Sequence, residues 1–322
     1  MGHIGYRLAE KLSLRHQIFG VYNKNKNVQK IKKLKSCKVT LIKNNLENKD
    51  QIKKILKKYK IQECIFAAGV SHNTLAKKDV NKTIKINCLS LNFFLEAQMN
   101  GLFKKLIYIS TGSVFQNIRS SKLKIFETNW ASPNSIYSLS KRLGEKLLET
   151  FFIKSKKRVC ALRVSWVYGP PLITKKIIPQ RGPIPFIIYK LFIQNKKIIK
   201  FNSGGSFAAS YTYIDDICET LEKMIKLKIF PKPVLHFGSG KNYNNFYLSK
   251  VFNNIFKNKK VIFKKGIYPW SNDSTIRGPL KTNYNYPFLK SRISLEQGII
   301  NFVNSLKKKK RHNVKLGYNR VR

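Results

Sequence analysis

Three short stretches of this chain are apolar at nearly every position: Cys64 to Ala68, Leu106 to Ser110 and Val159 to Val164. A strand with one wet face alternates apolar and polar side chains, so a strand that does not alternate is covered on both faces. Segments with helical apolar spacing lie before and between them, at Lys49 to Tyr59, Asn87 to Met99 and Ile136 to Phe152. Upstream, Tyr6 to Leu14 and Val28 to Leu34 read as helices, and Ile18 to Tyr22 and Val39 to Ile42 as strands. Buried strands alternating with helices predict a doubly wound α/β domain around a parallel sheet.

After Tyr168-Gly169-Pro170-Pro171 the rhythm breaks, and Pro, Gly and irregular segments become frequent. The spacing predicts helices over Phe186 to Gln194, Asp215 to Ile225 and Tyr247 to Phe256. Residues 1–170 are therefore read as the first domain and 171–306 as a smaller lobe folded onto it, with some crossover between them. Residues 307–322 (KKKKRHNVKLGYNRVR) show no periodicity and read as a disordered basic tail.

The net charge of +49 admits two readings. A basic surface can bind polyanions through phosphate contacts, but such surfaces are clustered, Arg-rich and interleaved with exposed aromatics. Here Lys is spread over the whole chain beside abundant Asn and Ile, which fits compositional drift, and no specific nucleic-acid partner is expected. Cys37, Cys64, Cys88, Cys160 and Cys218 form no C-x-x-C pair, and several sit in apolar runs, as small buried residues do in a reducing compartment. The histidines are isolated, so no metal site is expected. No apolar run is long enough to span a membrane and the N-terminus is not a signal peptide, so the expected location is the cytoplasm.

Three short motifs carry chemistry. Gly2-His3-Ile4-Gly5 leads into a helix, and a Gly turn there lets a backbone approach a pyrophosphate at the positive helix terminus; a plain turn reads the same way. Ser110-Thr111-Gly112-Ser113 follows a buried strand, where open α/β sheets bind ligands, although capping hydroxyls give the same pattern. Tyr137 and Lys141 lie four apart on one helical face. An ammonium beside a phenol favours the phenolate, and such a Tyr can exchange protons with a sugar hydroxyl.

The chain resembles the NAD-dependent epimerase/dehydratase family, the extended short-chain dehydrogenases/reductases, from Gly2 to about residue 305. Ile65-Phe66-Ala67-Ala68-Gly69 resembles the family's strand end beside the cofactor, and Asn87 the head of its Asn-led helix. Leu162-Arg163-Val164-Ser165-Trp166-Val167-Tyr168-Gly169-Pro170, Tyr211-Thr212-Tyr213-Ile214-Asp215-Asp216 and Leu235-His236-Phe237-Gly238-Ser239-Gly240 resemble three further segments in the same order. The resemblance implies Tyr137 as acid/base, Lys141 as the group that lowers its pKa, and Thr111 as a hydrogen-bond partner of the reacting oxygen. It implies a bound NAD or NADP contacted by Gly2, His3, Ile4, Gly5, Asn23, Asn45, Leu46, Ala67, Ala68, Gly69, Asn87, Ser110 and Val164, besides Tyr137 and Lys141. Ser113, Tyr168, Arg181 and Arg277 would face a sugar or nucleotide-sugar substrate. A homodimer through the helices flanking the Asn-led and Tyr-Lys segments is implied in the same way.

The sequence departs from that pattern in three places. The first strand and first Gly of the dinucleotide loop are absent, which is expected to expose ladder groups on two neighbouring strands and to weaken expression and nucleotide binding. A start site upstream of Met1 or a truncated gene is the expected origin, and an inactive remnant is one reading of the chain. No acidic residue follows the second strand; Tyr22 or Asn23 stands there with Lys24 and Lys26 next, which admits NADP. Ala208-Ala209-Ser210 stands where many relatives place a phosphate-binding Arg, so a dehydrogenase of a small sugar acid is the rival to a nucleotide-sugar enzyme.

Overall fold

The computed structural model describes residues 2–23, 28–116, 122–171, 182–270 and 278–317, with residue 29 and residues 308–317 described by backbone alone. The chain begins with α1 His3–Leu12, β1 Phe19–Tyr22, α2 Val28–Ser36, β2 Thr40–Lys43, α3 Lys49–Lys58 and β3 Glu63–Phe66. Next come α4 Asn73–Lys78, α5 Val80–Ile84, α6 Ser90–Met99, β4 Lys105–Thr111, α7 Ile136–Phe152, β5 Val159–Val164 and β6 Trp166–Tyr168. α8 Pro183–Ile188, β7 Ile198–Phe201, β8 Ala208–Ala209, β9 Tyr211–Tyr213, α9 Ile214–Lys226 and β10 Val234–Phe237 follow. β11 Tyr243–Asn244, α10 Asn245–Ile255, β12 Lys260–Phe263 and α11 Leu295–Gly317 complete the order.

The apolar strands pair as their composition demands. β10, β5, β4 and β3 form one parallel sheet, with Ile107 opposite Cys160 and Leu235 opposite Leu162. Every residue of β5 and β10 is buried, as is the middle of β4. β1 and β2 form a separate parallel pair, and its strands are buried at one position only. The ladder is interrupted between β1 and β3, the place where a strand was expected to be lacking. One apolar core nevertheless spans both sheets: Ile4, Val21, Ile42 and Leu46 pack against the cluster that holds Phe66, Ile107 and Leu162.

Side chains rather than strand pairing fasten α1. Arg7 grips Asp215 at the head of α9 with two hydrogen bonds of 2.6 and 2.8 Å, and Lys11 joins at 3.1 Å. Further along, Arg15 and His16 both reach Glu222 on the same helix. Burial would raise the Asp215 carboxyl, but Arg7 and then Lys11 outweigh it and hold it below the usual carboxylate range.

The lobe has its own core, built on Ile184, Ile187, Phe252 and Phe302. Its sheets are small pairs, β6 with β9, β7 with β12 and β8 with β11. The crossover is extensive: β6 already pairs in the lobe, while α9 and β10 return to α1 and β5.

Two expectations are corrected. The helix that was read from Asn87 starts at Val80, and a π-helical turn over Lys85–Leu89 joins α5 to α6. α11 continues to Gly317, past Leu306, where the sequence was read as an aperiodic tail. Leu295, Ile299, Phe302 and Val303 bury one face of that helix, and the Lys run that follows has good helix propensity and extends the same hydrogen-bond ladder. No helix among the described residues is long and apolar enough to cross a membrane.

Candidate active site

α7 is held at its start from two sides. Ser135 and Ser138 form a reciprocal capping box. Gln116, in the segment after β4, accepts from the Asn134 N–H at 2.8 Å and from the Ser138 hydroxyl. The turn that carries Thr111 is thereby tied to the turn that carries Tyr137. Tyr137 is half-buried, and Lys141 one turn on is only 6% exposed. The Lys141 ammonium donates to the Ile109 carbonyl at 2.9 Å and lies 4.4 Å from the centre of the Tyr108 ring. Burial pushes its pKa down to about 8, with Glu145 and then Cys88 pulling the other way.

At the carboxyl end of β4, successive side chains take opposite roles. Thr111 is half-buried, and its Oγ1 accepts from the Ser113 N–H at 3.1 Å, the capping geometry, which leaves the hydroxyl proton free to donate. Ser113 is half-buried in that turn. Ser110 was expected at the cofactor, but its hydroxyl donates to Glu145 at 2.5 Å in the interior.

Asn87 is fully buried within the π-helical turn, a feature that often re-aims a side chain at a working site. Its Oδ1 accepts from the Val70 N–H at 2.9 Å, and its Nδ2 donates to Ser140 at 2.9 Å, linking the end of β3 to α7. A Cβ on Gly69 would sit 2.9 Å from Asn87 Oδ1 and 3.3 Å from Lys141 Nζ, so only glycine passes there without displacing them. Ala67 and Ala68 are half-buried just before it, and Gly5 packs close enough to Ala67 that an added Cβ would lie 3.7 Å away.

Gly2 heads α1 without a side-chain cap, and a Cβ built on it meets nothing within 4 Å. Uncapped amides facing open space suit a pyrophosphate. His3 hydrogen-bonds the Gly169 carbonyl at 3.0 Å, and Ile4 packs on the core. Asn23 and Asn45 join at 3.4 Å across the ends of β1 and β2, both exposed, with Leu46 half-buried beside them.

Other expected contacts lie elsewhere. Tyr168 was read as facing substrate, but it is 2% exposed and its phenol donates to the Leu295 carbonyl in the lobe core. The Val164 side chain is buried at the end of β5. Arg181 and Arg277 lie outside the described residues. Among the described residues there is no group of His, Cys, Asp and Glu that could hold a metal.

The sequence reading missed a buried charge cluster beneath the site. Glu145, fully buried, receives Arg163 through two bonds of 2.8 and 2.7 Å and Arg142 at 3.1 Å. The next member, His236, faces Arg163 NH1 at 3.1 Å through Nε2, so its Nδ1 carries the proton and donates toward the carbonyls of Ile125 and Lys281. Burial and then Arg163 push the His236 pKa down to about 3. The unfolded chain binds a proton near 6.5 that the folded chain refuses, so stability falls as pH drops from 6.5 toward 3, by about 1.4 kcal/mol per unit. Urea unfolding of wild type and His236→Gln over that range checks this; the variant should lose that part of the slope, and parallel curves would remove His236 as its source.

Parallel strands buried on both faces, with helices over them, place the molecule in the doubly wound α/β class. The sequence profile of the NAD dependent epimerase/dehydratase family matches residues 1–232, and the chain belongs to that family, whose members are enzymes. The dTDP-D-glucose 4,6-dehydratase of Dictyostelium discoideum is 29% identical over 60% of this chain, a stretch that spans 45% of that protein's length. Protein CapI of Staphylococcus aureus is 24% identical over 71% of the chain and 68% of its own length. The fold matches a UDP-glucose 4-epimerase solved with UDP-glucose from Thermotoga maritima, at TM-score 0.77, 19% identity and 96% coverage of both chains. A dTDP-glucose 4,6-dehydratase from Bacillus anthracis in complex with NAD matches at TM-score 0.76 and 17% identity, covering 95% of this chain and 94% of that one.

Proposed function

We propose that this chain binds NAD(P) and acts on a sugar nucleotide as an epimerase, dehydratase or reductase, with Thr111, Tyr137 and Lys141 handling the proton. The observation that carries the reading is the buried Lys141 ammonium, one turn beyond Tyr137 and bonded to the strand end that presents Thr111. The α1 terminus would hold the pyrophosphate, Asn23 and Asn45 the adenosine end, and the Gly69 backbone the dinucleotide at β3. The nicotinamide, when bound, supplies hydride acceptance and return. Tyr137 takes or gives the proton of the reacting hydroxyl, the Lys141 charge favours its phenolate, and Thr111 donates to the same oxygen.

Incubation with NAD(P) and either UDP-glucose or dTDP-glucose, followed by chromatography of the sugar products, tests this. Conversion of a sugar nucleotide supports the reading; failure to bind NAD(P) in calorimetry sinks it. A second reading, a dehydrogenase of a small sugar acid, is favoured by β8, where Ala208 and Ala209 offer no cation for a diphosphate. Reduction of NAD(P) by a free sugar acid, with sugar nucleotides left untouched, would select it.

The proposal extends to a homodimer. Leu139 and Leu143 are exposed along α7 with Ile153 just past its end, and Leu89 in the π-helical turn and Met99 at the end of α6 are exposed on the elements beside it. An apolar face of this kind is suited to self-association. The double change Leu139→Asp/Leu143→Asp is expected to halve the mass seen by light scattering, and an unchanged mass refutes this interface. The unpaired state of all five cysteines supports a reducing compartment such as the cytoplasm.

A further inference from the structure

The geometry points to Glu145 as a positioning residue of the site, a buried counter-charge that serves Lys141 and the end of β4 together; this rests on the proton-transfer role proposed for Lys141. Tyr137, Lys141 and Glu145 follow one another at one-turn spacing on α7, so all three share a helical face. Glu145 is fully buried yet fully partnered: Ser110 donates from β4, Arg163 from β5 and Arg142 from its own helix. A buried ion pair of this kind is weak as a source of stability, because desolvating the charges opposes their attraction. Its yield here is placement.

The cluster reaches further than one helix. Arg163 lies 4.7 Å from the Phe115 ring, and His236 packs edge-on against the same ring at 5.5 Å. Phe115 closes the segment that starts at Thr111. His236 also bonds the carbonyls of Ile125 and Lys281, while Glu127 holds the amides of His236 and Asn283. Glu145 thus stands where α7, β4, β5 and, through Arg163, β10 meet.

The groups that face Lys141 define its charge. Glu145 comes from α7, Cys88 from the π-helical turn and Tyr108, whose own phenol is influenced by Tyr137, from β4. Arg163, Arg142 and His236 stand behind Glu145. Among these only Glu145 is a carboxylate, and it is the largest influence that keeps the ammonium protonated against burial.

Trace labelling with acetic anhydride across pH 6 to 11, with the Lys141 peptide read by mass spectrometry, gives the midpoint of that single amine. In wild type the midpoint is expected near the value of about 8 that burial sets. Glu145→Gln is expected to move it down by about one unit, and Arg163→Gln, which removes a positive charge, to move it up. The sign separates position from bulk structure. A variant that merely loosens or unfolds admits water, and its midpoint climbs toward the ordinary lysine value of about 10.4. A rise or no change in Glu145→Gln overturns the proposal; a fall sustains it. The assay needs no turnover, so a fall in a protein that converts no sugar would refute the proposed function while leaving the charge coupling of Glu145 to Lys141 intact.

Discussion

Tyr137→Phe is expected to lower turnover by about 10²–10⁴-fold, the range for loss of a positioned proton-transfer group. Affinity for NAD(P) is expected to stay within about twofold, because a phenol-to-phenyl change removes one hydroxyl and leaves the α7 cap and the Lys141 contact in place. Steady-state rates and calorimetry on the same preparation separate the two. Turnover above a tenth of wild type would take the proton from some other group, and Thr111 would be the next to examine. A parallel loss of cofactor affinity would instead mean that the phenol orients the dinucleotide.

Arg163→Met is expected to destabilise the fold by about 3 kcal/mol, the lower end of the range for breaking a buried pair. The lower end applies because Arg142 still reaches Glu145 at 3.1 Å and Ser110 still donates to it. Met fills most of the space of the lost side chain, so the cost is one of charge and not of volume. The double change Glu145→Gln/Arg163→Met is expected to recover much of the loss, since neither charge is then left alone in the interior. Urea unfolding of wild type, both singles and the double completes the cycle. A single-variant loss under about 1 kcal/mol would mean that water reaches Glu145 in solution.

The fold was legible because β4 and β5 are apolar at nearly every buried position, Ser110 and Arg163 excepted, where a strand with one wet face would alternate. The shared face of Tyr137 and Lys141 was readable from their spacing, since i,i+4 positions lie on one side of a helix, whereas joining Thr111, at the end of β4, to the same site rested on the resemblance. Ser110 was misread because neighbours on a strand point to opposite sides, and sequence alone does not say which of two adjacent hydroxyls faces out. Tyr168 was misread for a related reason: its motif marks a turn, and the ring direction is set by Gly298 and Leu295, far away in sequence. Glu145 carried a usable signal, being one turn past Lys141. His236 and Gln116 carried none, because their partners, Ile125, Glu127, Arg163 and Lys281 for the first and Asn134 and Ser138 for the second, meet them only through tertiary contact. The early start of the Asn87 helix escaped for want of any apolar periodicity over Val80–Ile84.

The clasp between α1 and α9 bears on how the molecule comes apart. α1 buries Tyr6, Leu8, Ala9 and Leu12, but the part of its attachment that Arg7, Lys11 and Arg15 supply through Asp215 and Glu222 is one that salt screens. Hydrogen exchange at α1 is therefore expected to respond to rising ionic strength more than exchange in the β4–β5 core.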